Sequence, residues 1–308
     1  MTTLNDLLQE TRRRALSDMR EEINLLAANM GSGDTTFSLA SGQQLNSIQP
    51  GALVEIDQEL ILILGVAGTS VTSCVRGWYD STATTHSANA VITVNPRFPQ
   101  VDVIKAINED IDDLSAPTNG LFQAKECTLS YNPVIVGYDM TDVNTNIAVP
   151  SANLIDLIEV RIHDYGPFQR WPLIPLSKVK IQRQADTTVF PSGIALQFYA
   201  GGYPGRPIRV QYKSPYTTPL VNTTDDVQAV TGLHTQAHDI PVLGATYRLM
   251  QFRELKRSFT EAQPEARRAE EVPVGSSLTS MKGIMAHRKD RIDAERTRLK
   301  QMYPVRYK

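Results

Sequence analysis

The feature that most constrains the fold of this chain is a hydrophobic period that changes repeatedly between helix and strand. Apolar residues near the N-terminus recur at helical spacings, at Leu8, Ala15, Met19, Ile23 and Leu26. Short apolar runs over about residues 35–94 indicate strands, and Ile104, Ile107, Ile111 and Leu114 then mark a second helix. Alternation returns over about residues 122–213, and helical spacing returns after them. This order predicts helices interrupted by two β segments.

The predicted fold class is therefore α+β. We predict that about four helices form one bundle, into which a small β-barrel-like unit and an antiparallel β-sandwich are inserted. The predicted segments are an N-terminal bundle helix (1–34), the small β unit (35–95), a bundle helix (96–121), the sandwich (122–213), a linker with a bundle helix (214–276) and a basic C-terminal helix (277–308).

The formal net charge of −2 conceals an uneven distribution of charge along the chain. Residues 277–308 contain nine basic and three acidic residues, a local charge of +6, and the other 276 residues contain 22 basic and 30 acidic residues, a charge of −8. A basic terminal segment of this kind seeks an acidic surface, which nucleic acid or an acidic protein provides.

Composition and short motifs argue against several classes of protein. The longest apolar run, residues 60–64, is much shorter than the roughly 20 residues that span a bilayer, so no membrane partner is expected. The N-terminus has no basic segment leading into an apolar one, so no secretory signal is expected. The two cysteines, Cys74 and Cys127, lack a CxxC spacing and predict free thiols in a reducing cytoplasm.

Four charged residues of the first β segment are candidates for a common cluster. Asp57 and Glu59 are two residues apart, so on a strand they point to one face, and Arg76 and His86 follow downstream. A catalytic or metal-binding cluster is one interpretation. Ion pairs that fix the turns of a small barrel are the favoured one, because hydrolytic sites need more convergent groups. We therefore predict structural ion pairs and no catalytic residue.

The remaining motifs give no support for a cofactor or a metal. His234 and His238 are four residues apart, but they lie in an aperiodic stretch without the HExxH pattern of a zinc helix. The chain contains no phosphate-binding loop of the GxxxxGK[ST] type and no GxSxG nucleophile motif. We predict a non-enzymatic protein that binds no cofactor and no metal.

The C-terminal helix carries a narrow apolar stripe within a basic surface. Its apolar residues repeat every seven positions, and an interrupted second row argues against a full coiled coil. Two interpretations remain open: the stripe packs within the chain, or it docks on another subunit or partner. DNA binding by this helix is a weaker interpretation, because the helix lacks interleaved aromatic residues and the whole chain is not basic. The interface candidates are Leu278, Met285, Arg288, Arg291, Ile292, Arg296, Leu299 and Lys300.

Several sequence stretches, taken together, resemble a known family. They are residues 51–59 (GALVEIDQE), 66–72 (VAGTSVT), 75–79 (VRGWY), 81–83 (STA), His86, 90–91 (AV), 95–99 (NPRFP), 261–264 (EAQP) and 270–275 (EEVPVG). With the acidic second helix and the basic last helix, this pattern resembles the head-to-tail connector, or adaptor, proteins of tailed bacteriophages. The chain departs from the pattern at Asp80 and Asn89, where glycine is expected, and at Cys74, where valine is expected.

The resemblance implies a structural virion protein that forms a homo-oligomeric ring, with a dodecamer as a candidate size. Such a ring lies below the portal protein at the head–tail junction, joins the capsid to a downstream neck or tail protein, and is synthesised in the host cytoplasm. It also implies a channel through which DNA passes without sequence-specific binding. The basic C-terminal helix is then expected to dock on the portal or on a neighbouring subunit.

Two alternatives from other classes remain. A tail or baseplate component would use its sandwich to bind carbohydrate, with Trp171, Tyr199 and Tyr203 as stacking surfaces. A lytic hydrolase would use Asp57 and Glu59, although glycosidases place their two carboxylates across a cleft rather than on one strand.

Overall fold

The computed structural model describes residues 2–16, 21–42, 48–135, 137–164, 170–199, 204–261 and 276–304, with the side chains of 252–278 excepted. Within these residues the chain forms fifteen β-strands in four sheets and five α-helices. The chain divides into two compact units. The first comprises Met1–Asp110, Pro219–Val227 and His238–Arg288, and the second comprises Ile111–Thr218, Gln228–Ala237 and Lys289–Lys308.

The elements fall into three groups along the chain. The first group is α1 (Leu4–Leu16), β1 (Glu22–Leu25), β2 (Phe37–Ser38), β3 (Leu53–Ile56), β4 (Glu59–Ala67), β5 (Ser70–Val75), β6 (Val91–Val94) and α2 (Gln100–Leu114). The second is β7 (Gln123–Ser130), β8 (Tyr138–Asp139), β9 (Thr141–Asp142), β10 (Ile147–Ala148), β11 (Asp156–Ile162), β12 (Leu173–Ile174), β13 (Val179–Arg183), β14 (Ile194–Phe198) and β15 (Pro207–Ser214). The third is α3 (Val227–Thr231), α4 (Asp239–Glu261) and α5 (Ser276–Met302).

The first unit is built on a strongly curved antiparallel sheet in the order β1-β6-β3-β4-β5-β2. An antiparallel bridge between Leu26 and Leu39 joins the segments that follow β1 and β2, so the two ends of the sheet meet. Alternate residues of the strands point inward and form a buried apolar core, which includes Leu26, Ile56, Ile61, Ile63 and Ile92. Curling the sheet onto itself removes its edges and gives every strand a buried face.

Helix α1 is held against this sheet by a buried ion pair. The Arg12 guanidinium lies 2.5 Å from the Glu55 carboxylate of β3 and donates to the Phe98 carbonyl at 2.8 Å. The same carboxylate accepts from the backbone N–H of Gln100, the first residue of α2, where the helix dipole favours a negative charge. Burial raises the pKa of Glu55 despite the neighbouring Arg12. One carboxylate thus fixes two helices to the sheet.

The second unit contains a four-stranded sheet, β12-β11-β15-β7, and a three-stranded sheet, β13-β14-β8, both antiparallel. Val160 and Val210 of the larger sheet and Ile194 and Leu196 of the smaller sheet belong to one buried cluster. The two sheets therefore pack face to face around a shared core. A short hairpin, β9-β10, follows β8.

The prediction of a helical bundle that carries two β insertions is wrong, because β structure forms the body of the chain. The predicted N-terminal helix over 1–34 ends at Leu16, and Ile23 lies on β1, where its partner is Thr93 of β6. Met19 lies outside the described residues. Helical spacing was misleading here because a short apolar run also suits a strand, and pairing with a distant segment decides between the two.

Candidate functional site

The four charged residues singled out in the sequence meet in the first unit, and we call them the charged clasp. Asp57 lies in the turn between β3 and β4, and Glu59 begins β4. Arg76 directly follows β5, and His86 lies in the loop before β6. The side chains of Glu59 and His86 are fully buried, whereas that of Asp57 is 62% exposed.

The Glu59 carboxylate is the centre of the charged clasp. Its two oxygens accept from Arg76 in a bidentate arrangement, with Nε at 2.6 Å and Nη2 at 2.7 Å. They also accept from the backbone N–H groups of Gly77 and Thr84, each at 3.0 Å. Both ends of the loop over residues 77–84 are therefore anchored on one buried carboxylate.

Arg76 extends the charged clasp to a second loop. Its Nη1 donates to the carbonyls of Gly31 at 2.7 Å and Asp34 at 3.0 Å, and its Nη2 donates to the Thr84 carbonyl at 2.6 Å. The backbone of His86 pairs with that of Met30 in both directions, at 2.8 and 2.9 Å. Three segments that are distant in sequence are thus fixed together by a few charge-assisted bonds.

The electrostatics of the charged clasp disfavour acid–base catalysis by Glu59. Burial by itself would raise the pKa of Glu59, but the hydrogen bonds from Arg76, Thr84, His86 and Gly77 lower it to about 2. The bond to Glu59 in turn raises the pKa of Arg76. A general acid needs a carboxyl group whose pKa is raised toward neutrality, which is the opposite of this arrangement.

This low pKa predicts how the first unit responds to acid. Glu59 ionises at about 2 in the folded protein against an ordinary value of 4.5, so its contribution to stability is complete above about pH 4.5 and disappears as the pH falls through about 2. We expect a loss of roughly 3 kcal/mol in the free energy of unfolding across that window. Urea titrations at several acid pH values measure it, and Glu59→Gln should lack this part of the pH dependence. An identical acid profile in that variant would contradict the prediction.

A tight turn above the charged clasp displays two aromatic side chains, and we call residues 78–81 the aromatic turn. Trp78 is 40% exposed and Tyr79 is 68% exposed. The backbone of Tyr79 has φ 56° and that of Asp80 has φ 61°, a conformation unusual for residues other than glycine. Hydrogen bonds to Leu60 hold it, from the Trp78 N–H to the Leu60 carbonyl at 2.8 Å and from the Leu60 N–H to Ser81 Oγ at 3.0 Å.

Strain of this kind persists only where the surroundings enforce it, and it is concentrated at functional sites. Sequence reasoning did not identify the aromatic turn as a site. The sequence did contain a signal: two large aromatics, Trp78 and Tyr79, directly precede Asp80, a position where the resemblance predicts glycine. Asn89, the second such departure, also has a positive φ, of 67°.

The strain at Asp80 predicts a stabilising substitution. Asp80→Gly removes the Cβ that disfavours φ 61° and should raise the free energy of unfolding by roughly 0.5–1 kcal/mol. Thr82→Gly is the matched control, because Thr82 is exposed in the same loop but does not have a positive φ. It should lower stability by a similar amount. Urea denaturation followed by tryptophan fluorescence measures both, and a destabilised Asp80→Gly variant would contradict the argument.

A cleft of about 760 Å³ lies beside the aromatic turn within the first unit. Its lining includes Tyr79, Leu53, Arg97, Asp102 and Lys105. Burial raises the pKa of Asp102 above its ordinary value, despite the opposing effect of the nearby Lys105. The charges along the cleft are of both signs, so the cleft selects neither an anion nor a cation by charge alone.

The interface candidates on the first part of α5 lie within the first unit. Arg288 Nη2 is 2.9 Å from Oδ1 of the buried Asp110 of α2, so this guanidinium is used inside the chain. Met285 is 43% exposed. The side chain of Leu278 lies outside the described residues.

The remaining interface candidates lie in the second unit. Ile292 and Leu299 are buried. Arg291 donates to the Gln236 carbonyl at 2.8 Å, Arg296 donates to the Thr118 carbonyl at 2.7 Å, and Lys300 is exposed. Two residues of the apolar stripe and three of the candidate arginines on this helix are therefore engaged within the chain.

Of the proposed stacking residues of the second unit, Trp171 packs against two neighbouring side chains. The Arg209 guanidinium lies 4.4 Å from the centre of the Trp171 ring, and the His163 ring lies 4.7 Å from it. Tyr199 is 63% exposed, and Tyr203 lies outside the described residues.

Other kinds of site receive little support from the described residues. Within them no group of three or more His, Cys, Asp or Glu side chains is arranged to hold a metal ion. Cys74 and Cys127 are both buried free thiols. None of the helices in the described part of the chain has the length and apolarity needed to cross a membrane. Comparison with protein-family models and with curated proteins finds no match to this chain.

Proposed function

We propose that this chain is a structural protein of a tailed-bacteriophage particle, a head-to-tail adaptor that forms a homo-oligomeric ring below the portal. The observation that carries the proposal is the aromatic turn. A strained backbone presents Trp78 and Tyr79 to solvent, and the buried charges of Glu59 and Arg76 beneath it are used to hold it in place. Exposed Trp and Tyr on a rigid support are typical of protein–protein interfaces.

Two of the stretches that resemble adaptor proteins, with His86, form this surface and its support. Residues 51–59 provide β3, the following turn and the Glu59 carboxylate, and residues 75–79 provide Arg76 and the two exposed aromatics. His86 completes the cluster. In this chain these residues form a rigid display surface on a curled sheet, which suits an assembly protein better than a catalytic one. Residues 262–264 and 270–275, which also carry the resemblance, lie outside the described residues.

The charge distribution fits a channel through which DNA passes. Outside the last 32 residues the chain carries a net charge of −8. A protein gains affinity for DNA by neutralising phosphates with Lys and Arg, so an acidic body gives little non-specific binding. In this proposal the contacts that matter are with other copies of the chain, with the portal and with a downstream tail protein.

Immunogold electron microscopy of intact particles tests the location directly. Antibody against this chain should label the head–tail junction. Label at the tail tip, or particles without label while a control antibody against the capsid binds, would overturn the proposal.

A pair of matched surface variants tests the role of the aromatic turn. Because Ile292 and Leu299 are buried, deletion of α5 would disturb the fold, and substitutions of exposed residues are cleaner. Trp78→Ala with Tyr79→Ala should lower the joining of purified heads and tails by roughly 30-fold, the equivalent of about 2 kcal/mol at an interface hot spot. Tyr199→Ala, an equally exposed aromatic of the second unit, is the control and should join normally. Normal joining by the double variant would count against the aromatic turn as the contact surface.

A further inference from the structure

His86 is held between two carboxylates. Its Nδ1 lies 2.7 Å from Asp57 Oδ2, and its Nε2 lies 2.9 Å from Glu59 Oε2. The ring is buried on all sides, and the backbone bonds to Met30 fix the position of the residue. Both ring nitrogens are therefore committed to hydrogen bonds with carboxylate oxygens.

These contacts determine how many protons the ring must carry. An ionised carboxylate can only accept a hydrogen bond, and a neutral imidazole has one N–H donor and one bare nitrogen. In the neutral form, one nitrogen lone pair would face a carboxylate oxygen at hydrogen-bond distance, which is repulsive. The tautomer of a histidine is assigned from its hydrogen-bond network, and this network needs a donor at each nitrogen.

The balance of charge leads to the same conclusion. The titratable groups that face His86 are Asp57 from the β3–β4 turn and Glu59 from β4, and Arg76 at the end of β5 binds Glu59 from the other side. Cys74 of β5 and Asp34, in the loop before β2, lie near Arg76. Burial raises the pKa of the Cys74 thiol. With a charged His86 the charged clasp holds two positive and two negative groups. With a neutral His86 the two carboxylates would share the single positive charge of Arg76, and the buried ring would offer one N–H to two carboxylate oxygens.

We infer that His86 is an imidazolium in the folded protein and that its two N–H groups form a proton-dependent latch between the β3–β4 turn and the base of the aromatic turn. When the proton is bound, Asp57 and Glu59 are joined through one ring, and the loop over residues 77–84 stays anchored at both ends. When the proton leaves, the contact between His86 and one carboxylate becomes repulsive, and the anchoring of Trp78 and Tyr79 is weakened. The inference concerns the chain itself and does not depend on the proposed adaptor role.

Nitrogen-15 NMR of the full-length protein labelled at histidine tests the protonation state. The chain has five histidines, so His86→Asn assigns the His86 signals by their disappearance. If that variant does not fold, Asp57→Asn assigns them, because Asp57 contacts the His86 ring. Near neutral pH we expect both ring nitrogens of His86 to show the protonated signal. A His86 signal with one protonated and one bare nitrogen near neutral pH would overturn the inference.

A second measurement tests whether this proton controls the aromatic turn. In a Trp171→Phe background Trp78 is the sole tryptophan, and its fluorescence can be followed as the pH is raised. Asp57→Asn removes one of the two carboxylates that accept from the ring, so the fluorescence change should move to lower pH. Asp80→Asn is the matched control, because it removes a carboxylate from the aromatic turn itself and should leave the transition in place. An unshifted transition in Asp57→Asn would refute the latch.

Discussion

Replacing Glu59 with Gln is expected to lower the free energy of unfolding of the first unit by roughly 3–5 kcal/mol. The glutamine side chain has the same shape, but it brings an NH₂ donor to a site where every neighbour is already a donor. It leaves the Arg76 guanidinium, whose side chain is 7% exposed, without its counter-ion, and it removes the acceptor of His86 Nε2. Removing one partner of a buried pair costs far more than the intact pair contributes, because the other charge stays buried.

Urea denaturation followed by Trp78 fluorescence measures this effect, with Trp171→Phe as the background so that the first unit alone is reported. Glu10→Gln is the matched control. Glu10 pairs with Arg13 and Arg14 on the solvent side of α1, where an ion pair contributes about 0.5 kcal/mol. Equal losses in the two variants would show that the charged clasp is no more important to stability than a surface ion pair.

The charged clasp illustrates what local sequence can predict. Charge complementarity among Asp57, Glu59, Arg76 and His86 did predict ion pairs. The expected shared strand face was wrong, because Asp57 lies in the β3–β4 turn, with φ 54°, and Glu59 begins β4. The aromatic turn was not predictable in the same way. A positive φ at Tyr79 leaves no trace in hydrophobic periodicity, because it is imposed by the bonds that Leu60 and the charged clasp make around it.

The fold shows the same division between local and distant information. Helical spacing of Ile107, Ile111 and Leu114 does mark the buried face of α2, since neighbouring turns of one helix determine it. The prediction of a helical bundle was wrong because the order of elements along the chain does not determine which of their surfaces pack together. Strand β1 pairs with β6, and that pairing turns a segment with helical spacing into a strand.

Apolar periodicity also leaves the identity of the covering surface undetermined. The seven-residue repeat on α5 correctly indicates an apolar face at Ile292 and Leu299, because both side chains are buried. The pattern itself could not distinguish burial within the chain from burial against another subunit. The structure buries both residues within the chain, so under the proposed function the exposed aromatic turn is a better interface candidate than these two residues.

Gly244→Ala is expected to destabilise the first unit by roughly 3 kcal/mol, although alanine normally stabilises a helix by about 1 kcal/mol relative to glycine. Gly244 lies in α4, where the helix approaches α2 so closely that a Cβ would overlap the Asp110 carboxylate. Asp110 is buried and holds Arg288 of α5 at 2.9 Å, so displacing it disturbs the ion pair between α2 and α5 as well as the packing of α4.

Gly283→Ala provides the opposite expectation in the same unit. Gly283 lies inside α5, is exposed, and has no heavy atom within 4 Å of the position that a Cβ would occupy. The substitution should therefore raise the free energy of unfolding by up to about 1 kcal/mol through helix propensity alone. Both variants are compared by urea denaturation with Trp78 fluorescence. If Gly244→Ala were neutral or stabilising, α4 could not approach Asp110 as closely as described, and the placement of this glycine would need another physical reason.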